Sequence, residues 1–145
     1  MTSDRPADEL DLDALLRIAV GRLNRRIRAE KAGDDISDGQ FSVLALLFRE
    51  GPRTLGELAE AERVTPPSMN RRVNSLVEAG FVTRGSAPDD GRKVVLSVTE
   101  AGGAFVTETR KRREHWLNKR TRALSAAQRE TLRAASAIMR ELADS

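Results

Sequence analysis

A chain of 145 residues, 39% hydrophobic and 32% charged, is long enough for one domain with its own core and too apolar for a disordered segment. It contains no cysteine, which excludes disulfides, thiolate metal sites, thiol catalysis and cysteine redox sensing. A formal net charge of +3 permits a polyanionic partner without requiring one.

The opening residues, MTSDRPAD, carry no apolar signal region, and no apolar run approaches membrane-spanning length. A cytoplasmic protein without membrane association is therefore expected. From Leu10 onward, Leu12, Leu15, Leu16, Ala19, Val20, Leu23 and Ile27 recur at helical spacing, predicting a helix over 10–27 that breaks at Gly33-Asp34-Asp35. Ser37 or Asp38 caps a second helix, GQFSVLALLFREG, which ends at Gly51-Pro52. Thr54 and Glu57 suggest a capping box for a short third helix, LGELAEAE. Thr65 caps a fourth, PPSMNRRVNSLVEAG, closed by Gly80. Next come two predicted strands, FVTRG and the alternating run VVLSV, joined by the turn residues Pro88-Asp89-Asp90-Gly91. Val94, Leu96 and Val98 are expected on one side of the second strand, and Val95 and Ser97 on the other. Thr99 caps a long helix running to about Arg120. Ser125 starts the last, in which Leu132, Ala135, Ile138 or Met139, and Leu142 repeat at spacings of three and four.

Two short helices followed at once by a hairpin is the order of a winged helix-turn-helix, in which the second short helix enters the DNA major groove and the hairpin reaches the flanking backbone or minor groove. The fold expected is mainly α with a small β-hairpin. On the fourth helix, Met69, Val73, Leu76 and Val77 form a core stripe. Opposite them lie Pro67, Ser68, Arg71, Asn74 and Ser75, with Arg72 on the flank, groups that hydrogen-bond base edges and phosphates. Pro66 and Pro67 suit the first helical turn but remove N–H groups that would grip a phosphate, which leaves Thr65, Ser68 and the arginines for that task. At the hairpin tip, Arg92 and Lys93 are the cations offered to DNA. Asp90 is read as orienting Arg92 through a charge-assisted hydrogen bond, and Asp89 as shaping the turn.

With Val64 to Gly102 in view, the chain resembles the MarR family of bacterial transcription regulators. The resemblance rests on Asp90-Gly91-Arg92, a strand through Leu96, then Thr99 and Gly102, with flanking helices that also fit. It implies a single domain over 1–145. In that arrangement, helices at about 8–32 and 100–145 dimerise, and about 36–99 forms the winged DNA-binding lobe. It also implies a homodimer on a pseudo-palindromic double-stranded DNA operator, with Arg71 reading bases and Arg92 entering the minor groove. Family members are typically repressors released by small aromatic or acidic ligands bound between the dimer helices and the lobe. Leu15, Leu16 and Leu23 at one end, and Leu132, Ile138, Met139 and Leu142 at the other, are the expected dimer contacts.

Three further features carry weaker signals. Arg110, Lys111, Arg112, Arg113, Lys119 and Arg120 read as a solvated face that could add phosphate contacts. Trp116 reads as interface packing rather than a ligand platform, and His115, without partners, does not read as a zinc ligand. No nucleophile–base pair and no phosphate-cradling glycine loop appears, so neither enzymatic activity nor a cofactor is expected. The competing reading is a winged-helix module for protein–protein contact; it has no need of the arginines on the fourth helix and the hairpin.

Overall fold

Side-chain caps set the helix starts. The computed structural model describes residues 11–145 apart from Asp34, so Leu10 and part of the expected break at Gly33-Asp34-Asp35 lie outside the described residues. α1 (Leu12–Arg28) begins where Asp11 accepts from the Ala14 N–H, and Arg25, Arg26 and Arg28 complement the negative end of its dipole. α2 (Asp38–Glu50) is capped by Ser37 rather than Asp38: Ser37 and Gln40 exchange side chain-to-backbone bonds at 2.9 and 3.2 Å in a full capping box. α3 (Leu55–Glu62) has only half of the box expected. Thr54 accepts from the Glu57 N–H, but the Glu57 carboxylate takes the Thr54 hydroxyl proton instead of the Thr54 N–H. The chain leaves α3 through Arg63, in the left-handed region at φ 54°. α4 (Pro66–Glu78) follows with prolines in its first turn and Thr65 as cap. α5 (Glu100–Arg122) and α6 (Ala126–Asp144) start at Thr99 and Ser125.

Between α4 and α5 lies an antiparallel hairpin, β1 (Val82–Ser86) with β2 (Val94–Val98), in the register Val82↔Val98, Arg84↔Leu96 and Ser86↔Val94. Phe81, expected in the first strand, instead belongs to the exit from α4, where its N–H donates to the Leu76 carbonyl at 3.0 Å. Only part of the expected alternation in β2 is buried. Leu96 is 2% exposed, whereas Val94 is 57% exposed because it pairs with Ser86 at the end of the hairpin that overhangs the lobe. Leu96 is also bonded on its other side: it exchanges N–H···O bonds of 2.8 and 3.2 Å with Arg53, a one-residue third strand between α2 and α3. Local periodicity gave no hint of this non-local bridge.

The core sits in the lobe. Val43 and Leu44 of α2, Leu58 of α3, Met69, Val73 and Leu76 of α4, Val82, Leu96, and Val106 of α5 pack together. Each of the larger side chains contributes about 1.5–3 kcal/mol by leaving water. Phe105 joins them from α5, its ring 4.8 Å from Phe81 and 6.1 Å from Phe41. The start of α5 is fixed very closely: Thr99 donates to the Gly80 carbonyl at 2.7 Å and accepts from the Gly102 N–H at 3.0 Å. A Cβ on Gly102 would lie 2.3 Å from the Phe81 carbonyl oxygen, so this position must be glycine. α1 and α6, by contrast, bury no residue. Among the described residues, no helix is long and apolar enough to cross a membrane.

Candidate nucleic-acid interface

Met69, Val73 and Leu76 anchor α4 in the core, and this fixes which side chains its opposite face presents. At its start, the Thr65 hydroxyl is committed to the cap: it accepts from the Ser68 N–H at 3.3 Å and donates to Ser68 Oγ at 3.0 Å. Ser68 Oγ also accepts from Arg71 Nη2 at 3.4 Å, which leaves its own hydroxyl proton for an outside acceptor. Pro67 and Arg71 are exposed on the same face.

The remaining polar residues of α4 do not behave alike. Ser75 is half-buried and donates to the Arg71 carbonyl at 3.2 Å, a bond internal to the helix. Arg72 turns inward, its side chain 29% exposed and 3.9 Å from Glu62 of α3. Its guanidinium lies so close to α2 that a Cβ on Gly39 would meet Arg72 Cζ at 3.0 Å. Glu62 is held from its other side by the Ser42 hydroxyl, which lies 2.9 Å from both carboxylate oxygens. Arg72 therefore ties α4 to α2 and α3. Asn74 is exposed, and its Oδ1 accepts from Nη2 of Arg84 on β1. Arg84 is a residue the sequence reading did not select. The signal that could have found it is its basic side chain on a short strand beside the helix.

At the hairpin tip, Arg92 and Lys93 are exposed. Asp90 Oδ1 accepts from the Arg92 main-chain N–H at 3.0 Å, and the Lys93 N–H donates to the Asp90 carbonyl at 3.1 Å. The carboxylate holds the backbone of Arg92; among the described residues it makes no ion pair with the Arg92 guanidinium.

Several cations of α5 are engaged within the chain. Arg112 pairs with Glu108 at 3.2 Å and donates to the Lys31 carbonyl; Arg113 donates to the Glu30 carbonyl and lies 4.5 Å over the Phe41 ring. Burial holds the Arg113 guanidinium below its usual pKa; Asp38 works against that shift and Arg28 adds to it. Arg110 covers Phe48 at 5.4 Å, and half-buried Trp116 has Arg120 at 3.8 Å and Arg26 at 5.6 Å from its ring centre. Between α1, α2, α5 and the end of α3 opens a cleft of about 210 Å³ lined by Arg28, Asp38, Phe41, Arg49, Glu62 and Arg113.

The faces assigned to dimerisation are bare. Leu15 and Leu23 on α1, and Leu132, Ile138, Met139 and Leu142 on α6, are exposed, Ile138 at 59%; Leu16 is half-buried.

The comparisons agree with this geometry. The MarR family model matches residues 36–94, the lobe from Ile36 through the start of β2. An HTH-type transcriptional regulator of Mycobacterium bovis is 42% identical over 139 residues, covering 93% of this chain and 97% of that protein. An HTH-type transcriptional repressor of Bacillus subtilis is 32% identical over 100 residues, 68% of this chain and 60% of that one. A crystal structure from Pseudomonas aeruginosa, described as that of a candidate transcriptional regulator, superposes with a TM-score of 0.83 at 31% identity, covering 97% of this chain and 99% of that chain. With a two-stranded wing following two short helices, an exposed polar face on the second of them, and relatives over more than nine-tenths of its length, the chain belongs to the MarR family of winged helix-turn-helix transcriptional regulators.

Proposed function

We propose that the protein is a cytoplasmic repressor that binds a pseudo-palindromic double-stranded DNA operator as a homodimer and leaves it when a small aromatic or acidic ligand is bound. The observation that carries this reading is the face of α4 formed by exposed Pro67, Arg71 and Asn74 with half-buried Ser68, beside a wing whose tip offers Arg92 and Lys93. Arginine donating twice to guanine is the commonest base-specific contact, and Arg71 is the arginine of α4 that points away from the lobe. Thr65, Arg72 and Ser75 take supporting parts, as cap, as brace to α2 and α3, and as a bond within the helix. About 36–99 form the DNA lobe, and the helices at about 8–32 and 100–145 pair the two copies. The repressor assignment draws on the Bacillus relative. A ligand site is supported by the cleft between α1, α2, α5 and the end of α3, where Arg28, Arg49 and Arg113 outnumber Asp38 and Glu62 and the Phe41 ring supplies an apolar wall.

The test is selection of bound fragments from the parent genome, followed by affinity measurements on the recovered site and on random duplex. Arg71→Ala should weaken the recovered site by about 1–3 kcal/mol and random duplex far less. Equal loss on both would remove base reading from Arg71.

A further inference from the structure

Arg84 has no part in the reading given above. It stands on β1, opposite Leu96 in the ladder, and is exposed. Its guanidinium reaches back to α4, where Nη2 donates to Asn74 Oδ1. A guanidinium only donates, so Asn74 must meet it with its carbonyl oxygen. That fixes which end of the carboxamide faces the wing. The amide nitrogen keeps both of its N–H groups to donate elsewhere.

An unrestrained asparagine recognises adenine with both ends of its amide, accepting from the N6 amino group and donating to N7. A charge-assisted bond from Arg84 occupies one lone pair of Oδ1 and sets a guanidinium beside it, so Asn74 is a poorer acceptor for the adenine amino group while both of its N–H groups stay available. The base that sets two acceptors side by side in the major groove is guanine, with O6 and N7. Resting on the operator-binding reading above, we infer that Arg84 is a specificity-determining residue: its charge beside Oδ1 biases Asn74 towards donating and turns that position of each half-site from adenine towards guanine.

The test uses the full-length protein with Arg84→Ala, Asn74→Ala, Asn74→Asp and the double variant Asn74→Ala/Arg84→Ala. Both side chains are exposed, and circular dichroism checks that each variant keeps its helices. Sites are selected from a randomised duplex library, and affinities are then measured for the best site and its single-base variants at one salt concentration. In the wild type, the position that responds to Asn74→Ala should favour guanine over adenine by roughly tenfold. Arg84→Ala should reduce that ratio to within about twofold and leave the other positions as they were. The double variant should match Asn74→Ala at that position. Asn74→Asp, which keeps a partner for Arg84 but presents acceptors, should exchange guanine for cytosine there.

Two results overturn the inference: a wild-type preference for adenine at the Asn74-sensitive position, or an Arg84→Ala variant that weakens every site by one common factor. The second would make Arg84 a cation for the backbone only. Failure of the operator reading itself looks different, because the wild type would then show no preference over random duplex before any variant is compared.

Discussion

Asp90 illustrates how much one residue's geometry decides. Deleting an acid beside phosphates should raise DNA affinity on charge alone. Yet Asp90 holds the Arg92 N–H at 3.0 Å, and releasing that bond frees the wing tip at the point where a cation must be presented. Arg92→Ala and Asp90→Ala are therefore both expected to weaken operator binding, and the double variant to cost less than the two single effects combined. Affinities of the wild type, both singles and the double at fixed salt check this. Tighter binding by Asp90→Ala, or strict additivity, would reduce Asp90 to a turn residue.

At the scale of elements, the joint between wing and α5 depends on Gly102. A methyl there would meet the Phe81 carbonyl oxygen at 2.3 Å, and that oxygen is backbone, already bonded to the Thr99 N–H at 3.0 Å. Gly102→Ala should destabilise the fold by about 1–3 kcal/mol, read as a lower urea midpoint. An unchanged midpoint would mean that α5 shifts away without cost. The caps at Thr99, Thr65 and Ser125 and the core stripe of α4 were legible in the sequence because local spacing sets them; Gly102 entered only through the family resemblance, and Ser37 only as an alternative to Asp38. What was not legible depends on distant partners. The Arg53–Leu96 bridge joins residues 43 positions apart, Arg72 finds Glu62 only once α3 packs on α4, and Arg84 meets Asn74 only when β1 runs beside the helix. The exposure of Val94 was not legible, because alternation marks the sides of a strand but not where the core beneath it ends.

For the whole molecule, the apolar side chains left uncovered lie mostly on α1 and α6, with Leu132, Ile138 and Leu142 at 48%, 59% and 57% exposure. A stripe of this kind on a lone chain is a contact surface awaiting a partner. Two-fold pairing through it would also set two copies of α4 about one duplex turn apart. Truncation after Leu124 should leave a monomer or aggregate, measured by light scattering, with specific DNA binding lost and the lobe core intact. A truncated chain that remains a well-behaved dimer would move the interface elsewhere.

The bare flank of α6 has a thermodynamic consequence. A 19-residue helix with no buried side chain has little to hold it in water by itself. On the dimer proposed above its order comes from association, and mass action links folding to abundance: the thermal midpoint should climb as protein concentration rises, whereas a self-sufficient chain would melt at one temperature throughout. Calorimetry over a hundredfold dilution series reads this directly. In a cell the same coupling would make operator occupancy fall faster than in proportion as the copy number drops.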